Sequence, residues 1–139
     1  MERSGSSGAG AEQRVKILVA SDGPWIRDQV RAAFLSPGQD VIEATRGQDV
    51  RDLVATEHPD LVILDLQIAN MGGFAVAIDL HLEASAGRVP TTPILLLLDR
   101  EADRFLAKRA DADAELVKPV DATTLRRTAL QVIAEHAPA

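Results

Sequence analysis

Short apolar runs alternate with helical patterns along most of the chain. The first run, VKILVA at 15–20, is typical of a buried strand. A stripe of apolar residues at helical spacing follows it from about Pro24, whose fixed φ suits the first turn of a helix. Four more pairs come next, with strand patterns at 40–44, 61–64, 93–98 and 114–117 and helical patterns at about 50–57, 73–85, 101–109 and from 121 onward.

Five successive strand–helix units predict a single α/β fold. Right-handed crossovers join parallel strands in such a chain, so we expect one five-stranded parallel sheet with helices on both faces. The third run, LVIL, is almost entirely apolar, as a central strand covered on both faces should be. Ligands bind beyond the carboxyl ends of the strands in this architecture. The functional residues should therefore directly follow the strands.

Several charged residues stand at these strand ends, and three of them, Asp22, Asp65 and Lys118, are candidates for one site. Each has an alternative explanation by itself, because a carboxylate can cap the following helix and a lysine can be an ordinary loop residue. Together they bring two carboxylates and one ammonium to one edge of the sheet. This combination indicates a site where a cation and a phosphoryl group balance the charges.

The composition narrows the classes of partner and the compartment. The chain has 139 residues, enough for one domain, and its 21 acidic and 15 basic residues give a net charge of −6. This charge disfavours nucleic acid and anionic membrane surfaces as partners. The chain has no cysteine, no signal peptide and no run of the roughly 20 apolar residues that a membrane span needs, so we expect no membrane insertion and a cytoplasmic location.

The two ends of the chain differ from its middle. Residues 1–13, MERSGSSGAGAEQ, are small, polar and glycine-rich and are predicted to form a flexible tail ahead of one domain at 14–137. No Gly-Lys-Ser/Thr follows these glycines, so a P-loop is not indicated. The helical pattern from 121 is the last one, and no second globular domain is expected after it.

Three separated motifs occur together along this pattern: ILVASDGPWIR, PDLVILDLQIANMGG and LVKPVD. In this combination the chain resembles, over 14–133, the receiver domain of two-component response regulators. The resemblance implies a flavodoxin-like fold with the strand order 2-1-3-4-5. It also implies that Asp65, as the family's acceptor aspartate, takes a phosphoryl group from a histidine kinase.

The chemistry of that family explains the residue types at the strand ends. A carboxylate such as Asp65 can act as a nucleophile and form an acyl phosphate. By resemblance, Asp22, Asp65 and the backbone carbonyl of Gln67 would bind Mg²⁺, which prefers oxygen ligands. Lys118 would pair first with the Asp65 carboxylate and then with a phosphoryl oxygen.

Several positions depart from the family's pattern. Ser21 replaces the first of two adjacent acids after strand one, and a unit charge about 4 Å away contributes on the order of 4 kcal/mol near a surface, so Mg²⁺ binding should be weakened. Leu98 replaces the Thr or Ser whose hydroxyl reports phosphorylation, and Glu115 replaces the aromatic switch residue on strand five. Asp99 adds a negative charge beside the pocket, which would either disfavour phosphate or partly replace the acid lost at Ser21. These changes favour an atypical receiver.

Two aromatic residues and three histidines are further candidates. Trp25 and Phe105 are interpreted first as locally packed residues, with a binding anchor as the alternative. The histidines lack neighbours at metal-ligand spacing and are interpreted as surface or loop residues: His58, His81 and His136.

The leading hypothesis is therefore a stand-alone receiver that is not an enzyme and that docks a partner protein or a larger assembly, with phosphorylation weak, absent or without a switching effect. The expected docking surface is built by the fourth helix, fifth strand and fifth helix. A working phosphorelay member with Asp65 as acceptor is the alternative. A small flavodoxin-like enzyme or nucleotide binder is a third hypothesis, which the loop SDGPW does not favour because it is not a glycine-rich phosphate cradle.

Overall fold

The computed structural model describes residues 14–68 and 71–137. The strands are β1 (Val15–Ala20), β2 (Gln39–Ala44), β3 (Leu61–Asp65), β4 (Ile94–Leu98) and β5 (Ala114–Val117). The helices are α1 (Pro24–Ala33), α2 (Val50–Glu57), α3 (Gly73–Ser85), α4 (Arg104–Arg109) and α5 (Ala122–His136), with 3₁₀ turns at Gly47–Asp49 and Glu101–Asp103. The predicted tail at 1–13 lies outside the described residues. In the described part of the chain, no helix is long and apolar enough to cross a membrane.

The five strands form one parallel sheet in the order β2-β1-β3-β4-β5. This arrangement confirms the predicted fold class and strand order. All strands run in the same direction, so their carboxyl ends meet along one edge of the sheet. The loops that follow β1, β3, β4 and β5 converge at this edge and form the candidate site.

Helices cover both faces of the sheet because alternate residues of each strand point to opposite sides. One face of the sheet packs against α1 and α5, and the other packs against α2, α3 and α4. Every residue of the two central strands β3 and β4 is buried. Buried apolar side chains thus hold the strand ends in fixed positions, which makes this edge a rigid platform for a site.

Local chemistry sets the ends of the helices. Pro24 takes the first position of α1, and the Asp121 side chain accepts a hydrogen bond from the backbone N–H of Thr124 at 2.7 Å at the start of α5. The predicted helix at 101–109 is divided into the 3₁₀ turn and α4. At the start of the turn, the Asp103 carboxylate accepts the backbone N–H of Arg100 at 3.0 Å and caps it.

Candidate functional site

Asp65 is the last residue of β3, and its carboxylate is the centre of the site. It is 3% exposed, and both of its oxygens accept hydrogen bonds. Oδ2 accepts the Ser21 hydroxyl at 2.7 Å, and Oδ1 accepts the backbone N–H of Gln67 at 3.0 Å together with the Lys118 ammonium. Three separate loops therefore converge on one buried carboxylate.

Ser21 is fully buried and fixed by its own contacts. Its hydroxyl oxygen accepts the backbone N–H of Gly23 at 3.0 Å, and its backbone carbonyl accepts the Arg27 guanidinium at 2.8 Å. The hydroxyl proton is therefore directed to Asp65. An acid at this position would repel Asp65, whereas serine stabilises its charge.

Lys118 has a second carboxylate partner, Asp99, which directly follows β4. Their Nζ and Oδ1 atoms are 2.9 Å apart, and the other oxygen of Asp99 accepts the side-chain amide of Gln67 at 2.9 Å. The backbone N–H of Gln67 in turn contacts Asp65. Asp65, Lys118, Asp99 and Gln67 thus form a closed ring of hydrogen bonds, to which Ser21 is attached.

The ring of hydrogen bonds changes the pKa of two of its members, Lys118 and Asp99. Burial opposes the charged form of Lys118, but hydrogen bonds from its ammonium to Asp65 and Asp99 outweigh burial and raise the pKa of Lys118. Burial would likewise raise the pKa of Asp99, but hydrogen bonds from Lys118 and Gln67 lower it overall. Both groups are therefore held in their charged forms at neutral pH.

The residues predicted to bind Mg²⁺ do not form a ready metal site in this arrangement. Both Asp65 oxygens already accept hydrogen bonds, and Asp22 is exposed beside Ser21, where the family has its second acid. Among residues 14–68 and 71–137, no group of three or more His, Cys, Asp or Glu side chains is placed to hold a metal ion. The donors have the oxygen chemistry that Mg²⁺ needs but fall short in number and charge. The assignment of Asp22, Asp65 and Gln67 as ligands stays a prediction.

The two positions of the family's switch are built differently from the acceptor position. Leu98 is fully buried among apolar side chains at the end of β4. Glu115 on β5 accepts a hydrogen bond from Arg104 of α4 at 2.7 Å, and Arg104 also contacts Glu101 at 2.7 Å. These two acids raise the pKa of Arg104. An ion pair therefore joins α4 to β5 where the family has an aromatic side chain.

The two aromatic candidates are more exposed than expected. Trp25 is 71% exposed and Phe105 is 56% exposed, so local packing leaves more than half of each residue accessible to solvent. Trp25 and Lys118 line an open groove of about 300 Å³ together with Ile26, Gln29, Pro119 and Val120. The groove lies beside the site, between α1 and the loop after β5.

The histidines have structural contacts. His58 adopts a left-handed conformation and ends α2. A ring nitrogen of His81 lies 3.1 Å from the backbone carbonyl of Asp111. His136 pairs with Asp113 at 2.8 Å, and its hydrogen bond to the Val132 carbonyl, aided by Asp113, raises the pKa of His136.

Two further features of the site were not found from the sequence. Asp99 was noted as an added charge, but not as a partner of Lys118 and Gln67. Gly73 begins α3 so close to the end of β3 that a Cβ there would lie 3.0 Å from both the carbonyl carbon of Asp65 and the Cα of Leu66. The pair of glycines before the third helix was the available signal for this close approach.

Comparisons with known proteins agree with this architecture. The family model of the response regulator receiver domain matches residues 17–130. Protein PilH of Pseudomonas aeruginosa is 32% identical over 119 residues, which cover 86% of this chain and 98% of PilH. The probable transcriptional regulator ycf27 of Porphyridium aerugineum is 34% identical over 109 residues, and the match covers 77% of this chain but 43% of that relative.

A solved structure gives the same result for the fold. The receiver domain of the sensor histidine kinase PA1611 from Pseudomonas aeruginosa PAO1, which has a magnesium ion coordinated in its active site cleft, is 21% identical with a TM-score of 0.74. The match covers 87% of this chain and 98% of that one. With the parallel sheet, the order of the strands and the extent of the family match, the chain belongs to the response regulator receiver domain family of two-component signalling.

Proposed function

We propose that this chain is an atypical receiver that docks a partner protein without requiring phosphorylation. The observation that carries the proposal is the state of Asp65, whose carboxylate is already bound by the Ser21 hydroxyl and the backbone N–H of Gln67, and whose partner Lys118 also binds Asp99. Both oxygens of the acceptor thus have hydrogen-bond partners in the absence of a phosphoryl group. The domain that carries this function is proposed to span 14–137.

The energetics of switching support the proposal. A hydrogen bond to a charged group contributes about 1.5–3 kcal/mol, and moving a two-state equilibrium from 1:99 to 99:1 takes about 5.5 kcal/mol. Leu98 has no hydroxyl to donate to a phosphoryl group, so up to about half of that driving force is missing. Glu115 is paired with Arg104 without a phosphoryl group, so the contact between β5 and α4 does not depend on phosphorylation.

The proposed docking surface is the face of α4, β5 and α5. Phe105 projects from α4 as an exposed aromatic side chain, and Lys108 and Arg109 on the same helix are exposed beside it. Aromatic residues and arginines are the side chains that most often dominate binding at protein interfaces. This proposal gives the domain a binding role rather than an enzymatic one, with another protein or a larger assembly as its partner.

A working phosphoacceptor is the second candidate, and one contact favours it. The Lys118 ammonium binds the Asp65 carboxylate, which is the pairing that the family's chemistry uses at its acceptor. In this candidate a histidine kinase is the partner, and Asp22, Asp65 and the carbonyl of Gln67 would hold the Mg²⁺ ion. The bound ion would offset the charge of the incoming group.

One experiment distinguishes the two candidates. The purified chain is incubated with acetyl phosphate and Mg²⁺ and its intact mass is recorded, with Asp65→Asn as the blank and an ordinary receiver as the positive control. We expect no phosphate adduct under conditions that label the ordinary receiver. A single adduct that disappears in Asp65→Asn would overturn phosphorylation-independent docking as the proposal and favour the phosphoacceptor.

The docking surface has its own test once a partner has been identified in the native host. Phe105→Ala is expected to weaken binding at least about tenfold, because an exposed aromatic side chain at an interface centre typically contributes more than 1.4 kcal/mol. Leu82→Ala is the matched control, since Leu82 is 62% exposed but lies on α3. Equal affinities of wild type and Phe105→Ala would count against this face.

A further inference from the structure

The Lys118 ammonium lies between two carboxylates, only one of which belongs to the phosphoacceptor position. The side chain of Asp65 is 4% exposed and that of Asp99 is 30% exposed, while the Lys118 side chain between them is 21% exposed. The two carboxylates and one ammonium sum to one negative charge. Lys118 therefore has no positive charge left over for a third anion.

Asp99 is held in this position by more than Lys118. The Gln67 side-chain amide donates to its second oxygen at 2.9 Å, and Gln67 is itself fixed through its backbone N–H on Asp65. Asp99 therefore has a defined place in the pocket. It offers Lys118 the same kind of partner as a phosphoryl oxygen, namely a negatively charged oxygen at hydrogen-bond distance.

We propose that Asp99 is a positioning residue that acts as an internal anion: it binds Lys118 and thereby keeps phosphoryl groups and other tetrahedral anions out of the pocket. A phosphoryl group on Asp65 would have to displace Asp99 from Lys118, or else stand beside it with like charge. This inference rests on the proposed function and deepens it, because it identifies what keeps the site in its unphosphorylated state.

A purely structural role for Asp99 makes different predictions. If Asp99 only tied its loop to Gln67, an asparagine would replace it with little effect on Lys118, because the side-chain oxygen that accepts the Gln67 amide would remain. An internal anion must be charged. Asp99→Asn keeps the shape and the Gln67 contact but removes the charge, so it separates the two roles.

The chain offers a direct measure of the Lys118 charge. Its lysines are Lys16, Lys108 and Lys118, so reductive ¹³C-methylation adds three lysine signals to the spectrum besides that of the α-amino group. Lys118→Arg assigns the relevant signal. The proposal predicts that the titration midpoint of Lys118 falls in Asp99→Asn, because one of its two anions is lost. Glu101→Gln is the matched control, since Glu101 is an exposed acid of the same loop that contacts Arg104 instead.

The same variants are then treated with acetyl phosphate and Mg²⁺, with Asp65→Asn as the blank and melting temperatures as a check of folding. In Asp99→Asn we expect a phosphate adduct with a signal at least about ten times that of any wild-type adduct, together with a lowered titration midpoint of Lys118. Glu101→Gln is expected to behave as the wild type does. An unchanged midpoint would overturn the proposal. So would a lowered midpoint with adduct formation still at the wild-type level, because Asp99 would then bind Lys118 without excluding phosphoryl groups.

The proposed function and the role of Asp99 are tested by different comparisons in this experiment. The proposed function is tested by whether the wild-type chain forms an adduct. The role of Asp99 is tested by the difference in adduct level between wild type and Asp99→Asn. A wild type without adduct leaves phosphorylation-independent docking standing even if Asp99→Asn shows no response. A wild-type adduct contradicts it even if Asp99→Asn raises the level further.

Discussion

The two halves of the pocket are stabilised by different kinds of interaction. On the acceptor half, Asp65 and Lys118 are joined by short polar contacts in a largely buried setting. On the relay half, Leu98 is packed among apolar side chains and Glu115 is engaged by Arg104 near the surface. Asp99, directly after β4, bonds to Lys118 of the acceptor half, but the last residue of β4 is Leu98, whose side chain forms no hydrogen bond. A phosphoryl group on Asp65 would thus find no hydroxyl at Leu98 through which to affect α4 and β5.

The largest expected effect comes from removing the cation of the acceptor half. Lys118→Ala leaves two carboxylates close together, one of them buried, and breaking a buried pair typically costs about 3–5 kcal/mol. We expect a loss of free energy of unfolding near the lower end of that range in urea denaturation at pH 7. Lys108→Ala, which removes an exposed lysine of α4, should change stability by less than about 0.5 kcal/mol. If both variants lost a similarly small free energy of unfolding, Lys118 would contribute no more to stability than an exposed lysine, and the acceptor half would not be stabilised by its buried ion pair.

Restoring the relay half should have a smaller effect on stability and a qualitative effect on signalling. Leu98→Thr removes buried apolar volume and adds a hydroxyl, so a loss of about 2 kcal/mol is expected in urea denaturation. Combined with Glu115→Tyr and with Asp99→Asn, which is expected to admit the phosphoryl group, it should allow acetyl phosphate to change the NMR spectrum of α4 and β5. If this triple variant forms the Asp65 adduct while that spectrum stays unchanged, the loss of switching is not explained by Leu98 and Glu115.

The smallest effect concerns the pH dependence of the acceptor half. The lowered pKa of Asp99 means that its stabilising contribution is present above the unfolded value of about 3.9 and is lost as the pH falls through the lower folded value. Asp99→Asn should therefore reduce stability by less than about 1 kcal/mol at pH 7, given its partial exposure, and the difference should shrink as the pH falls below about 3.9. A difference that grows on acidification would contradict the assigned charge state.

Much of the fold follows from the order of the residues. The apolar runs and the breaks between them are local features, so strands such as LVIL and the start of α1 at Pro24 could be located from the pattern. The convergence of Asp65 and Lys118 follows from parallel strands alone. The fourth helix begins with a 3₁₀ turn, which the apolar pattern of the sequence does not distinguish from an α-helical turn.

The finer structure of the site could not be predicted, because it depends on which way side chains point. A serine after β1 was interpreted as a lost acid, and its direct hydrogen bond to Asp65 requires the observed orientation of the hydroxyl. The partnership of Asp99 with Lys118 and Gln67 likewise joins three loops through rotamers that no local pattern records. The exposure of Trp25 is equally a matter of tertiary packing.

The strand β5 at the end of the sheet limits the ways in which this domain can associate. Exposed strand edges invite pairing with another chain, and proteins protect them by keeping them short and by adding charge or proline. β5 has four residues and carries one acid, Glu115. Two more acids, Asp111 and Asp113, precede it, and Pro119 follows after Lys118. Strand addition at this edge is disfavoured by both length and charge. A partner that approaches this side must therefore bind side chains rather than extend the sheet, and this edge is protected against aggregation through strand pairing.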